Sequence, residues 1–410
     1  MHKILVVDDD PDLRLVAETC LSEAGYQTVT AADGDSGLRL ARSERPHLIL
    51  VDLMMPGTHG FAVIQEVRRD LSLRGMRIIV ASAKAYPADI RKAKELGADD
   101  YIVKPYDPKE LLEKIRAALG PDAADIYIKF WGTRGSIPTP GRWMLRYGGD
   151  TSCVEVRCGE RLLMIDCGSG ARRMGLSLAR EFAGRELDLH LFVSHTHWDH
   201  IHGFPFFTPA YLPTSQITVY SLHGADKSLE KVFTGQMDAS YFPVSLSDLP
   251  SRLQFVELKE DVGLGEVRIS HFQLNHPGLA VAFCIEFGGK RVVYMADHEP
   301  YWRLTGDNEQ NRRRDHEIDD FARGADVYIR EAQYTDEEYS VKRGWGHSTW
   351  KDALNSAQQA AVKQLLLYHH DPMHDDDSMD GIVAQCRSFM NEHGMSFKFL
   401  AAYDGLELRL

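Results

Sequence analysis

The sequence predicts an α/β protein of two units: a doubly wound parallel sheet, then a larger unit of two sheets with outer helices. Three observations predict it. The chain has 410 residues, more than one ordinary domain, and its 44% hydrophobic and 26% charged composition is that of a globular protein with real cores. Over residues 1–119 short apolar runs alternate with helical patterns, as a parallel sheet covered on both faces requires. Beyond a Gly-Pro break at 120–121 strand candidates crowd together and helices are interspersed late, which points to two sheets.

In the first unit, "KILVV" (3–7), "QTVTA" (27–31), "LILVD" (48–52), "RIIVAS" (77–82) and "DYIVK" (100–104) read as strands. Helices are expected at 11–24, 35–43, 59–70, 87–96 and 108–119. In such sheets the functional crevice lies at the carboxyl ends of the strands. Asp8 and Asp9 end the first strand, Asp52 the third, Ser82 the fourth and Lys104 the fifth. Carboxylates brought together resist ionisation unless they share a cation, and Mg²⁺ is the oxygen-seeking ion that can also bridge to a phosphate. A carboxylate can act as nucleophile and form an aspartyl-phosphate, whose oxygens Lys104 would neutralise and Ser82 would bond. Asp10 before Pro11 has the form of a helix N-cap, which accounts for one of these acids but not for Asp52 or Lys104.

"ILVVDDDPDLR", "LILVDLMMPGTHGF", "IIVASAK" and "DDYIVKPYDPKEL" together resemble the receiver domain of two-component response regulators, over residues 2–119. The resemblance implies a flavodoxin-like fold in which Asp52 accepts phosphate from a histidine kinase. It implies Mg²⁺ held by Asp8, Asp9, Asp52 and the Met54 carbonyl. Ser82 and Tyr101 would be the switch pair and Lys104 the phosphate contact, with a cis Lys104–Pro105 bond; Ser stands at 82 where Thr is commoner. A homodimer through this unit is compatible with the resemblance.

We place the units at 1–119 and 126–410 with a linker at 120–125, where "LGPDAADIY" carries no apolar periodicity. The second unit opens with "IYIKFWG" and a Gly/Pro-rich loop. Strands are expected at 152–157, 161–166, 188–193, 217–220, 265–272, 279–287, 291–296, 325–329, 364–367 and 397–401, and helices at 171–183, 225–236, 348–360 and 378–392.

The chemistry of this unit starts from "SHTHWDH" (194–200). His195 and His197, two apart on an extended segment, face one side and can converge on one ion; Asp199 and His200 follow where the chain turns. Imidazole with carboxylate suits zinc first, with manganese or iron as alternatives. Further ligands must come from elsewhere: His276 in "LNHPG", Asp297 in "VVYMADHEP", and His369 or His370 in "LLLYHHDP", each at the exit of an apolar strand. Strand alternation lets only one of the last two point inward, and His369 is favoured. His195, His197 and His276 would hold one divalent metal, Asp199, His200 and His369 the other, with Asp297 bridging. Metals about 3.5–4 Å apart can share a hydroxide aimed at an electrophile. His202, His271, His298 and His374 read as supporting or surface residues.

This pattern looks like the metallo-β-lactamase superfamily, whose αββα sandwich carries a dinuclear site at one edge, over residues 126–410. "FWGTRGSIPTPG", "YGGDTSCVEV" and "IDCGSG" look like its ribonuclease Z-like and cyclic-phosphodiesterase-like branch. In that branch a pair matching Glu331 of "YIREAQY" and His347 of "GHST" assists proton transfer to the leaving group; the plainer reading is Glu331 as an ion-pair partner and "HST" as the N-cap of the helix at 348–360. An Asp/His second site where β-lactamases often use Cys disfavours β-lactam hydrolysis. The stretch 203–262 is rich in aromatics and poor in basic residues, unlike a tRNA-gripping arm; those rings form either a lid or ordinary core. "NRRRDHE" (311–317) reads as a solvated charged turn.

Bulk properties narrow the function further. The net charge is −13. Residues 1–120 carry −2 (17 Lys/Arg against 19 Asp/Glu) and the remainder −11 (30 against 41). Such a field disfavours a long nucleic acid, whose binders need a basic surface. Six cysteines are scattered without a CxxC pair, as in a reduced cytoplasmic protein, and no apolar run approaches the ~20 residues of a membrane span. The expectation is a phosphorylation-regulated response regulator whose output is a dinuclear hydrolase, foremost a phosphodiesterase on a small or cyclic nucleotide-like phosphoester. The alternatives are a lactone or thioester hydrolase, and a non-hydrolytic metal sensor acting through protein contact.

Overall fold

The structure is a computed structural model that describes residues 2–73, 75–119, 126–222 and 228–410. The expected linker, 120–125, and the start of the helix expected at 225–236 lie outside the described residues. The chain divides into two compact units, Met1–Ala123 and Ala124–Leu410.

In the first unit β1 (Lys3–Val7), β2 (Gln27–Ala31), β3 (Leu48–Val51), β4 (Arg77–Ser82) and β5 (Asp100–Val103) form one parallel sheet in the order β2-β1-β3-β4-β5. The strands bury both faces: Leu5 and Val7 pack with Ile49, Val63 and Val80 on one side, Ile4 and Val6 with Leu21, Ile102 and Ile115 on the other. This is why they read as continuous apolar runs rather than as alternating ones. Asp10 caps helix Pro11–Glu23, its carboxylate accepting from the backbone N–H of Asp12 and Leu13.

In the second unit β6 (Ile126–Gly132), β7 (Cys153–Cys158), β8 (Arg161–Ile165), β9 (Leu187–Phe192), β10 (Ser215–Ser221) and β11 (Arg252–Glu257) build one sheet in consecutive order. Then β12 (Val262–Leu264), β13 (Val267–Leu274), β14 (Ala280–Phe287), β15 (Lys290–Met295), β16 (Val327–Glu331), β17 (Gln364–Tyr368) and β18 (Lys398–Ala401) build the other, and β19 (Glu407–Arg409) returns to pair with β6. Phe130, Phe192, Phe283, Tyr294, Ile329 and Tyr368 lie in the core shared by the two sheets. Helices Trp350–Gln359 and Asp376–Glu392 cover the outer face of the second sheet, and helix Gly170–Glu181 that of the first. The result is an αββα sandwich.

Alternation sorts the strands. On β16 Val327 and Ile329 enter the shared core while Tyr328 faces the outer helices. The exits of β8, β9, β13, β15, β16 and β17 share one rim, because β8 and β9 run parallel, as do β15, β16 and β17, and β13 is two antiparallel steps from β15.

Several expectations are corrected. Residues 311–317 are not a turn: they lie in helix Glu309–Phe321, capped by Asn308 and seated through Ile318. Arg and Glu are good helix formers, so one capping residue and a narrow apolar stripe suffice. The aromatics of 203–262 divide. Phe204, Phe207 and Phe233 are fully buried core, while Phe206 and Tyr241 are exposed. The edge strands β11, β12 and β19 were not expected, their runs being short and partly polar.

Candidate metal centre

The rim gathers the expected residues. Potential ligand atoms of His195, His197, His276 and Asp297 lie within 4.8 Å of one another, as do those of Asp199, His200 and His369. Asp297 spans the two sets. Its Oδ2 is 3.3 Å from His195 Nε2 and 3.7 Å from His276 Nε2, and its Oδ1 is 3.2 Å from His369 Nε2 and 3.5 Å from His200 Nε2. Asp199 Oδ2 sits 3.0 Å from His369 Nε2 and 3.3 Å from His200 Nε2. Asp199 and His200 occupy a single helical turn, Trp198–Ile201, rather than an open loop. His369, not His370, faces the cluster; His370 turns away and its Nε2–H donates to the Ala402 carbonyl at 2.8 Å.

Each imidazole is aimed by a hydrogen bond from its other nitrogen. His200 Nδ1–H donates to Asp166 at 2.8 Å, His276 Nδ1–H to the Gly346 carbonyl at 2.8 Å, and His369 Nδ1–H to Gln333 Oε1 at 2.9 Å. Ser194 gives its hydroxyl proton to Asp166 and accepts from His195 Nδ1–H at 3.2 Å. These partners fix the tautomers so that Nε2 lone pairs face inward. His197 is the exception and presents Nδ1, 3.0 Å from His276 Nε2.

The donor set fits two divalent cations. Among the described residues the buried His195 Nε2, Asp297 Oδ1 and His347 Nδ1 have no hydrogen-bond partner. His200 Nε2 and His369 Nε2 face each other at 3.2 Å. Lone pairs converging in a buried site are costly unless a cation takes them up. Burial alone would raise the carboxyls of Asp199 and Asp297, yet the facing imidazoles hold both well below the usual range. Without a metal, burial opposes the charge of His200 and His369, yet the same carboxylates hold both above their ordinary values. Burial, with His200 beside it, pushes His195 down to about 4.

Residues that sequence reasoning missed complete the site. Asp166, fully buried, receives Ser194 N–H, His200 Nδ1–H and the Tyr294 hydroxyl, the last at 2.6 Å. Asp166 and His369 both adopt left-handed backbone (φ 59), uncommon for non-glycine residues and concentrated at functional sites. Two glycines make room. A Cβ at Gly135 would lie 2.5 Å from the His369 ring, and one at Gly346 2.2 Å from His276 Nδ1. The only available signal was the placement of Asp166 and Gln333 just past β8 and β16, at the same rim.

Glu331 and His347 lie beside the cluster but are not hydrogen-bonded to each other: Glu331 Oε2 is 4.0 Å from His347 Nδ1. Glu331 accepts from the backbone N–H of Ser348 at 2.6 Å and Gln333 at 3.2 Å, and burial pushes its carboxyl up to about 8. Within "HST" it is Thr349 that caps helix Trp350–Gln359. His347 Nδ1 is instead 3.9 Å from Asp297 Oδ2, and Asp297, His347 and His369 form a third group of potential ligands. A cavity of about 430 Å³ opens over His197, Asp199, Asp297, His347, Ser136 and Trp198, whose indole is 82% exposed.

In the first unit Lys104 Nζ lies 2.6 Å from both Asp8 Oδ2 and Asp52 Oδ2. Burial opposes its charge, yet these bonds leave Lys104 above its ordinary value. Asp8, Asp9 and Asp52 form a potential ligand group, and Met54 N–H donates to Asp52 Oδ1 at 3.0 Å. Among the described residues the fully buried Ser82 hydroxyl has no hydrogen-bond partner; the Tyr101 hydroxyl donates to the Lys84 carbonyl at 2.6 Å, and the Lys104–Pro105 bond is cis.

Fold and site define a receiver unit joined to a metal-binding αββα unit. Residues 161–370 match the family model of the beta-lactamase superfamily domain, and residues 4–116 that of the response regulator receiver domain. The chain belongs to the beta-lactamase superfamily and carries a response regulator receiver domain. A probable transcriptional regulator ycf27 of Guillardia theta is 46% identical over 118 residues, 29% of this chain and 45% of that protein. The DNA-binding response regulator MtrA of Mycolicibacterium smegmatis is 42% identical over 118 residues, 29% of this chain and 50% of that one. The chain thus spans about half the length of the curated relatives it matches. The metallo-beta-lactamase fold protein YhfI of Bacillus subtilis superposes with TM-score 0.50 at 19% identity, over 70% of this chain and all of that one. That fold implies divalent metal binding.

Proposed function

We propose that the chain is a phosphorylation-regulated response regulator whose output unit is a dinuclear metal-dependent phosphodiesterase acting on a small or cyclic nucleotide-like phosphoester. The observation that carries this reading is Asp297 between two sets of inward-facing imidazoles, with His347 alongside. His195, His197 and His276 would hold one cation, Asp199, His200 and His369 the other, and Asp297 both. Bound there, zinc, manganese or iron supplies charge that polarises a phosphoryl group and a nucleophile from water.

The chain's own groups do the rest. Ser136 N–H holds Asp199 Oδ2 at 2.7 Å, keeping that carboxylate aimed inward. His347, open to the cavity with the Glu331 carboxyl 4.0 Å from its Nδ1, would deliver a proton to the leaving oxygen. In the receiver unit Asp52 takes the phosphoryl group from a histidine kinase. Asp8, Asp9, Asp52 and the Met54 carbonyl hold Mg²⁺, Lys104 contacts the phosphate, and Ser82 and Tyr101 respond to it.

The test is turnover by metal-loaded protein on bis(p-nitrophenyl) phosphate, a lactone and a thioester, with and without acetyl phosphate. Phosphodiester turnover is expected, lost in Asp199→Ala, and altered by acetyl phosphate in the native chain but not in Asp52→Asn. A metal-replete protein inert toward every phosphodiester would overturn the reading.

A further inference from the structure

A second cavity of about 430 Å³ lies on the other face of β16 and shares no lining residue with the one over the histidine cluster. Arg330 and Glu331 are neighbours on that strand, so their side chains point to opposite faces: Glu331 to the rim, Arg330 with Tyr328 toward the outer helices. Arg330 is 2% exposed, and its Nε and Nη1 have no hydrogen-bond partner. Among the described residues it has no ion-pair partner.

The carboxylates around it are already engaged. Asp315 accepts from the backbone N–H of Tyr301 and Trp302. Asp319 accepts from the Ser356 hydroxyl, Asp352 from Thr349 and Arg303, and Asp307 from Arg312. Arg330 feels the charge of Asp319 and Asp352 from a distance, but its Nε–H and Nη1–H are left unused, and buried donors without an acceptor are costly. A planar fork of donors matches a carboxylate or phosphate.

We propose that this cavity binds a small ligand through an oxyanion group, phosphate or carboxylate, paired with Arg330, at a site separate from the histidine cluster. The proposal is independent of the hydrolytic reading.

The experiment is thermal unfolding of the full-length, metal-loaded chain in chloride buffer, then with inorganic phosphate or acetate at matched ionic strength, for the native protein and Arg330→Met. Anions bound elsewhere on the chain act equally on both proteins, so the difference isolates this cavity. Phosphate is expected to raise the native Tm by about 2–5 °C more than that of Arg330→Met. The same increment with acetate assigns a carboxylate ligand as well; its absence assigns a phosphoryl one. Equal increments in the two proteins for both anions would overturn the proposal. If Arg330→Met does not fold, Asn355→Trp at the exposed mouth answers instead: loss of the increment supports the site and an unchanged increment overturns it.

Discussion

The two units carry acidic clusters at the same place, the exits of their strands, yet neutralise them differently. In the receiver, Lys104 lies 2.6 Å from both Asp8 and Asp52, a built-in cation that compensates the carboxylates before any metal arrives. Among the described residues of the sandwich no lysine or arginine pairs with Asp199 or Asp297. Imidazole nitrogens face one another at 3.0 and 3.2 Å, and among the described residues His195 Nε2 and Asp297 Oδ1 have no hydrogen-bond partner. On the proposed reading the receiver site exchanges a phosphoryl group and its ion and is stable when vacant, whereas the sandwich site, built around resident ions, is not. The receiver should therefore tolerate chelation and the sandwich should not.

Four measurements sharpen or break that contrast. The largest effect is expected from Asp297→Ala, which removes the carboxylate that reaches both ligand sets. Turnover should fall to that of metal-free protein, and bound metal measured by elemental analysis should drop with it. Next, Lys104→Met leaves Asp8 and Asp52 facing each other without their cation. It should destabilise the receiver by about 3–5 kcal/mol in denaturant titration without Mg²⁺, and added Mg²⁺ should restore part of that. Full stability without Mg²⁺ would show that Lys104 does not play this part. Chelation should lower the unfolding free energy of the sandwich by about 4 kcal/mol relative to metal at a thousand times its Kd, and leave the receiver transition in place. Two calorimetric transitions that move together would refute the contrast. The smallest effect is expected from Asp166→Asn, which spoils the anchor of His200 but keeps every ligand. Metal affinity should fall about 10–100-fold with the fold intact by circular dichroism.

Asp166 also marks where sequence reading stopped. The cluster in "SHTHWDH" was legible because imidazoles two apart on an extended segment must converge. His276, Asp297 and His369 were legible because each follows an apolar run at a shared rim. Asp166 ends the run read as the strand at 161–166, inside "IDCGSG", but nothing in that run ties it to His200, and only its contacts to Ser194, His200 and Tyr294 reveal it. The choice of His369 followed from strand alternation, but its left-handed backbone has no signature in a non-glycine residue. The receiver strands were legible almost residue for residue, because burial on both faces leaves unbroken apolar runs. Helix Glu309–Phe321 was hidden by the reverse condition: only Asn311, Ile318 and Asp319 are buried, so its pattern is almost wholly polar.

The most direct test of the metal centre is diffraction from crystals of the metal-loaded chain, recorded across the absorption edge of the bound element. Two anomalous peaks are predicted, one among His195, His197 and His276, the other among Asp199, His200 and His369, with Asp297 touching both. A pocket without anomalous signal at saturating metal, or imidazoles turned outward, would contradict a dinuclear centre and leave the phosphoacceptor unit as the chain's one legible function.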